Sequence, residues 1–398
     1  MSAFLELFAP AASSMEKAEL MFTIVLVLVA VKAAGELSIR IGQPSVFGKL
    51  LVGLIIGPSL LGWIHQTSLL TELAELGVLM LMFIAGVETD VKEFMKTARG
   101  AALAAVLGVI VPLIAGFGLA TFYGYNWARS LFVGTILVAT SVSISVQTLR
   151  ELGKLQTREG FTILGAAVID DILGLITLSI VLGLELGQGG GALGILVLIV
   201  KVVLFFGLAI LLGQTVVPAI LKFASKMGVT VPILTASIVI ALLFAMGAEL
   251  MGMAGIVGAY LAGLMISMTP YQQEVFEGVE HVGYSFFIPF FFVNIGVSAD
   301  VRGLTGDLVV FTVLALILAV ITKVVGCGAG ALLSGLTRQE ALRVGVGMIA
   351  RGEVALIVAS IGLASGLINE DLFTSMIVVA IATTVVTPPL LRIVYKKS

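Results

Sequence analysis

The sequence predicts an all-α polytopic membrane protein with about 13 transmembrane helices, built as two inverted six-helix repeats around a connector. Three observations carry that expectation. Only 12% of the 398 residues are charged and 59% are hydrophobic, whereas a soluble domain carries about 25% charged residues. Apolar runs of about 18 residues or more, long enough to cross a bilayer, recur along the whole length. Finally, the first half of the chain reappears in the second at a constant offset.

Hydropathy and loop signals predict helices near 19–38, 46–63, 73–88, 98–123, 129–150 and 160–185. A connector helix follows at 191–221. Six more are expected near 231–249, 254–269, 279–298, 306–335, 340–366 and 371–394. The connections are short, and QGGGALG (188–194) is the glycine-rich linker. The first apolar run follows the acidic SSMEKAEL and lacks both a basic n-region and a small-residue cleavage site, so it reads as a retained helix. This divides the chain into a first repeat (1–188), a connector (189–225) and a second repeat (226–398).

Basic residues test the count. Thirteen spans put Arg40, Lys49, Lys92, Lys96, Arg99, Arg150, Lys154, Arg158, Lys222, Lys226, Arg338, Arg343, Arg392, Lys396 and Lys397 on one side. The other side receives only Lys17, Arg129 and Arg302. That asymmetry places the N-terminus outside and the C-terminus in the cytoplasm.

The repeat is visible in short matches. GKLLVGLI (48–55) aligns with GAYLAGLM (258–265), and GVETDVKEF (86–94) with GVSADVRGL (296–304), both at an offset of 210. Leu131, Gly134 and Ala139 align with Leu342, Gly345 and Ala350 at 211. The offset spans seven helices, an odd number, so the second copy lies upside down. Inverted repeats with a site near the midplane mark secondary transporters.

The rare polar residues converge in depth. Asp170 and Asp171 interrupt the apolar stretch AAVIDDILGLI (166–176) near the middle of their helix. Lys323 sits about a dozen residues from either end of its own helix, roughly 18 Å away and beyond the reach of a snorkelling side chain. Arg351 and Glu353 fall mid-helix, as do Thr140 and Ser141; the repeat sets Thr140 opposite Arg351 and Ser141 opposite Gly352. An ionisable group at that depth costs at least about 2.5–3.5 kcal/mol and normally pairs or lines a watery cavity. The alternative is that the aspartates only knit helices together or line an inert wet cavity and that Lys323 is a fixed counter-charge. Adjacent aspartates point about 100° apart on a helix. One can therefore pair with Lys323 while the other faces a cavity and holds a proton or a small cation. Thr140 and Ser141 are candidate oxygen ligands for a hard cation, although such hydroxyls also bond back to their own helix. Arg351 and Glu353 can form a structural ion pair, and Gly352 permits a helix break.

Other polar groups read as structural. Lys201 lies in the connector helix as a packing or snorkelling residue, and His65 and His281 lie in or near loops. The single cysteine, Cys327, is embedded in an apolar run. No zinc motif, catalytic triad or phosphate loop is present, and a net charge of −2 without a basic tract gives no sign of a nucleic-acid partner. The expectation is a transporter, not an enzyme.

The segments GAAVIDDILGL, LVATSVSIS, ITKVVG, PFFFVNIGV and GMIARGEVALIVAS resemble the NapA-type bacterial sodium/proton antiporters. These belong to the second monovalent cation/proton antiporter branch, with NhaA and the Kef-type potassium systems. The likeness runs from GQPSVFGKLLVGLIIGPSLLG (42–62) to the last helix. It implies a homodimer whose core, from helices 3–6 and 10–13, moves against a dimerisation domain, with two broken helices crossing beside the ion site. By the same resemblance, Asp171 matches the principal ion- and proton-binding carboxylate and Asp170 the acid paired with a lysine, here Lys323. Thr140 and Ser141 match the first unwound stretch, and Arg351, Gly352 and Glu353 the second. The paired acids imply electrogenic exchange of protons for sodium or lithium in the bacterial inner membrane, without a resident cofactor. Kef-type relatives carry Gln-Asp in place of Asp-Asp. A potassium/proton antiporter on the same scaffold is the alternative.

Overall fold

A computed structural model describes residues 2–186, 191–298 and 306–396, and all their regular structure is helical. Residues 188–190 of the QGGGALG linker and residues 299–304 of GVSADVRGL, including Arg302, lie outside the described residues. Two groups of helices emerge from the packing. The first contains α1 (Ser2–Arg40), α2 (Ser45–Ile56), α3 (Ser68–Glu88) and, after the short surface helix α4 (Val91–Lys96), elements from later in the chain. The second begins with α5 (Ala98–Phe122), α6 (Trp127–Val138), α7 (Val142–Glu151) and α8 (Arg158–Leu186). The first group resumes with α9 (Gly191–Ala224), α10 (Pro232–Leu250), α11 (Gly255–Ser267), α12 (Gln272–Val282), a π-helical turn (Gly283–Phe287) and α13 (Ile288–Val297). The second is completed by α14 (Asp307–Leu333), α15 (Arg338–Gly347), α16 (Glu353–Ala364) and α17 (Glu370–Lys396).

Among the described residues, nine spans are long and apolar enough to cross a membrane, with α6–α7 counted as one. The other expected spans fall short for visible reasons. α2 and α11 contain only 12 and 13 residues, about 18–20 Å against a hydrocarbon core of about 30 Å. The segment expected at 279–298 is interrupted by the π turn, and that at 340–366 divides into α15 and α16. α1 starts at Ser2 rather than near residue 19, because a polar extension is free to continue a helix beyond the apolar run.

Helices in lipid associate through close packing rather than through expulsion of water, and small residues allow it. A β-carbon on Gly53 of α2 would lie 2.6 Å from the Val293 carbonyl oxygen of α13, and one on Gly296 of α13 would lie 2.4 Å from the Gly53 carbonyl carbon. The same relation recurs 210 residues away in each case: Gly86 of α3 meets the Tyr260 carbonyl oxygen of α11 at 2.2 Å, and Gly263 meets that of Phe83 at 2.3 Å. α3 and α12–α13, grouped with the core by the sequence reading, therefore pack on α11 and α2 in the first group. Their small residues seat there, not on α5 or α14.

The second group shows the same pairing. Gly134 of α6 faces the Leu113 carbonyl oxygen of α5 at 2.4 Å, and Gly345 of α15 faces that of Val324 on α14 at 2.5 Å. Both broken helices start at a side-chain cap. Asn126 accepts the Arg129 amide at 2.9 Å, and Thr337 forms a capping box with Glu340.

Candidate ion-binding site

α6 stops at Val138 and α7 starts at Val142; α15 stops at Gly347 and α16 starts at Glu353. The two interruptions touch. The Ser141 amide donates to the Ala350 carbonyl at 2.7 Å, and the Ser145 hydroxyl donates to the Gly347 carbonyl. The Thr384 hydroxyl of α17 holds the Arg351 carbonyl. Interrupted helices leave unpaired backbone groups at each new end, and this contact satisfies several of them.

Arg351 completes the arrangement. Its guanidinium is 1% exposed and donates to the carbonyls of Leu137 (2.8 Å), Ile349 (2.9 Å) and Ala319 (3.2 Å). A positive charge thus sits where α6 and α15 end, each with its partial negative pole. The sequence reading allowed Arg351 an ion pair with Glu353. The Arg351 guanidinium bonds instead to the three carbonyls, and the Glu353 side chain lies outside the described residues.

Beside the interruptions, α8 presents both aspartates to the interior. Lys323 of α14 contacts both oxygens of Asp170, at 3.1 and 3.2 Å, and both side chains are fully buried. The Thr140 hydroxyl and the Arg351 charge also bear on this carboxylate. Asp171 is 6% exposed, and Thr140 and Ser141 are buried close to the same junction. The Ser141 hydroxyl lies 3.1 Å from that of Ser143. The structure thus brings Asp170, Lys323, Thr140, Ser141, Arg351 and Gly352 around one buried junction. Sequence reasoning missed Thr384 and Ser145. The pair Thr383–Thr384 in an apolar helix was the available signal for the first, and SVSIS for the second.

A second polar cluster lies where α7 ends. An open surface pocket of about 410 Å³ is lined by Glu88, Gln147, Arg150, Glu151, Glu280 and Tyr284. Arg150 pairs with Glu88 of α3 at 2.9 Å and Glu280 of α12 at 2.6 Å. Its guanidinium stacks over the Phe276 and Tyr284 rings. Glu151 accepts from the Ser45 amide at 2.6 Å and lies 3.5 Å from Lys49.

A polytopic helical fold with a buried acid–lysine pair between two interrupted helices defines a membrane transporter of small ions. Residues 23–397 match the family described as sodium/hydrogen exchanger, transmembrane. The chain belongs to that family and is an ion transporter rather than a catalytic enzyme. It is 45% identical over 374 residues to the Na(+)/H(+)-K(+) antiporter GerN of Bacillus cereus, covering 94% of this chain and 96% of that one. The probable Na(+)/H(+) antiporter GerT of the same organism is 43% identical, over 93% and 98% of the two chains. Among solved structures, the sodium proton antiporter MjNhaP1 from Methanocaldococcus jannaschii has the same fold. It superposes with a TM-score of 0.72 at 14% identity, over 92% and 93% of the chains. The protein is thus a multi-pass membrane protein related to bacterial cation/proton antiporters.

Proposed function

We propose that the protein is an electrogenic sodium(lithium)/proton antiporter of NapA type in a bacterial cytoplasmic membrane. In this reading Asp171 alternately binds a proton and a cation, with Thr140 and Ser141 as further oxygen ligands. Asp170 and Lys323 supply a second, charge-coupled titration. Arg351, Gly352 and Glu353 shape the junction of the broken helices. The observation that carries the reading is the fully buried Asp170–Lys323 pair, one residue from Asp171 and next to both helix interruptions. The glycine contacts repeated at offsets of 210 and 211 support thirteen spans in two inverted repeats.

The ion-binding group is then α5–α8 with α14–α17. It moves as an elevator against α1–α3 and α9–α13, which also form the homodimer contact. The N-terminus is outside and the C-terminus cytoplasmic. Potassium/proton exchange is the second reading, favoured by the potassium in the name of GerN.

Proton movement in proteoliposomes tests both. Sodium or lithium is expected to drive proton flux in the wild type and to leave only the protein-free background in Asp171→Asn. An imposed voltage is expected to change the rate, since one charge per cycle is worth about 2.3 kcal/mol per 100 mV. A response to potassium alone selects the second reading, and equal flux in both proteins refutes the role of Asp171.

A further inference from the structure

α5 contributes no charged group to the ion site, yet it packs along α14 more extensively than any other described pair of helices. Small residues make this possible. A β-carbon on Gly326 would lie 2.6 Å from the Leu107 carbonyl oxygen, and one on Gly330 would lie 2.3 Å from that of Leu103. Lys323 and Cys327 of α14, four residues apart, share a helix face. Gly108 of α5 meets that face. A β-carbon there would lie 2.4 Å from the Cys327 sulfur, 3.7 Å from Lys323 Nζ and 3.9 Å from Asp170 Oδ1. Pro112, four residues on, lacks the amide that would bond the Gly108 carbonyl within the helix. Cys327 is fully buried, so the sulfur has little room to retreat.

We infer that Gly108 is a positioning residue of the transport site: the bare α5 backbone, with Cys327 packed beside it, fixes where the Lys323 ammonium stands on Asp170. No other seam glycine has this position. Gly326 and Gly330 meet α5 first, at carbonyls, whereas Gly108 has both members of the ion pair among the three atoms nearest its missing side chain. Of the three nearest atoms only the sulfur lies inside ordinary contact distance, so a methyl at 108 must displace the sulfur, and with it the turn of α14 that carries Lys323, or α5 itself. Each of these changes the contact between Lys323 and the carboxylate. The inference rests on the proposed role of the Asp170–Lys323 pair in exchange.

The test compares the pH profile of sodium-driven proton flux in proteoliposomes with the thermal stability of the purified protein. Gly108→Ala is expected to slow exchange about tenfold and to shift the pH midpoint. Adding Cys327→Ala removes the atom at 2.4 Å and is expected to restore both. Gly330→Ala, which crowds the same seam away from the pair, is expected to lower stability while keeping the wild-type midpoint. Cys327→Val presses on the same point from α14 and serves if Gly108→Ala fails to fold; its midpoint is also expected to shift. An unshifted midpoint in Gly108→Ala or Cys327→Val, or a double variant no better than the single one, overturns the inference. Lys323→Ala separates the two ideas. If it leaves rate and profile unchanged, the proposed role of the pair fails. If it shifts the profile while Gly108→Ala does not, only the positioning role fails.

Discussion

Arg351 holds a positive charge in the interior, and its guanidinium N–H groups donate hydrogen bonds to three carbonyl oxygens from three parts of the chain. Leu137 is in the last turn of α6, Ile349 follows α15, and Ala319 lies within α14. A planar guanidinium reaches several acceptors at once, which a lysine ammonium on its flexible stem matches poorly. Removing it strands buried carbonyls, at about 1–3 kcal/mol for each group left unsatisfied. Arg351→Gln is therefore expected to lower the unfolding temperature of the purified protein clearly, with Arg351→Lys intermediate. Wild-type stability in the glutamine variant would refute the capping role. The arginine was legible in the sequence as a costly charge at mid-membrane depth. Its acceptors were not, because a backbone carbonyl leaves no residue-type signature.

The two interruptions show the same limit among the helices. Gly352 announces a break in the second, but residues 135–150 contain neither glycine nor proline. What stops α6 lies more than 200 residues away: Ala350 takes the Ser141 amide and Arg351 takes the Leu137 carbonyl. Only the internal repeat made the first break legible. Likewise, the apolar runs marked where helices lie, but the seating of α3 on α11 and α13 on α2 depends on glycines that hydropathy cannot distinguish from other apolar residues. At Gly352 the tight contact is with a side chain. A β-carbon would lie 2.6 Å from Ser141 Oγ and 2.8 Å from Ser141 Cβ. Its φ of −136° lies outside the left-handed region, so the expected cost of a substitution is steric. Gly352→Ala should force the interruptions apart and reduce cation-driven proton flux about tenfold or more. Adding Ser141→Gly removes both close atoms but also a proposed cation ligand, so the double variant should recover thermal stability rather than flux. An unfolding temperature in the double variant no higher than in Gly352→Ala would show that the contact is not what the alanine disrupts.

The two helix groups meet at few points, and the densest polar one is the end of α7. There Arg150 pairs with Glu88 and Glu280, Gln147 accepts the Tyr284 hydroxyl, and Glu151 caps the first turn of α2. Glu151 is well placed because a carboxylate at a helix N-terminus meets unpaired amides and the positive pole of the dipole. Every one of these bonds crosses from the second group to the first. If the groups slide past one another, as proposed, these bonds must open in each cycle, so they stabilise the conformation seen here against its alternative. Charge-assisted hydrogen bonds of this kind contribute about 1.5–3 kcal/mol, enough to shift a two-state population roughly tenfold or more. Arg150→Gln leaves the buried ion pair of α8 and α14 untouched. It is expected to raise amide hydrogen exchange about tenfold at the start of α2 and the end of α7, while the α5–α14 seam keeps its protection. Faster exchange across all helices would mean that Arg150 supports the fold as a whole. Unchanged exchange at both ends would mean that the groups are held together elsewhere, through the contacts of α8 with α9 or of α17 with α2. Only a local increase confined to the junction fits a contact that holds one conformation of a protein that, as proposed, leaves it in each cycle.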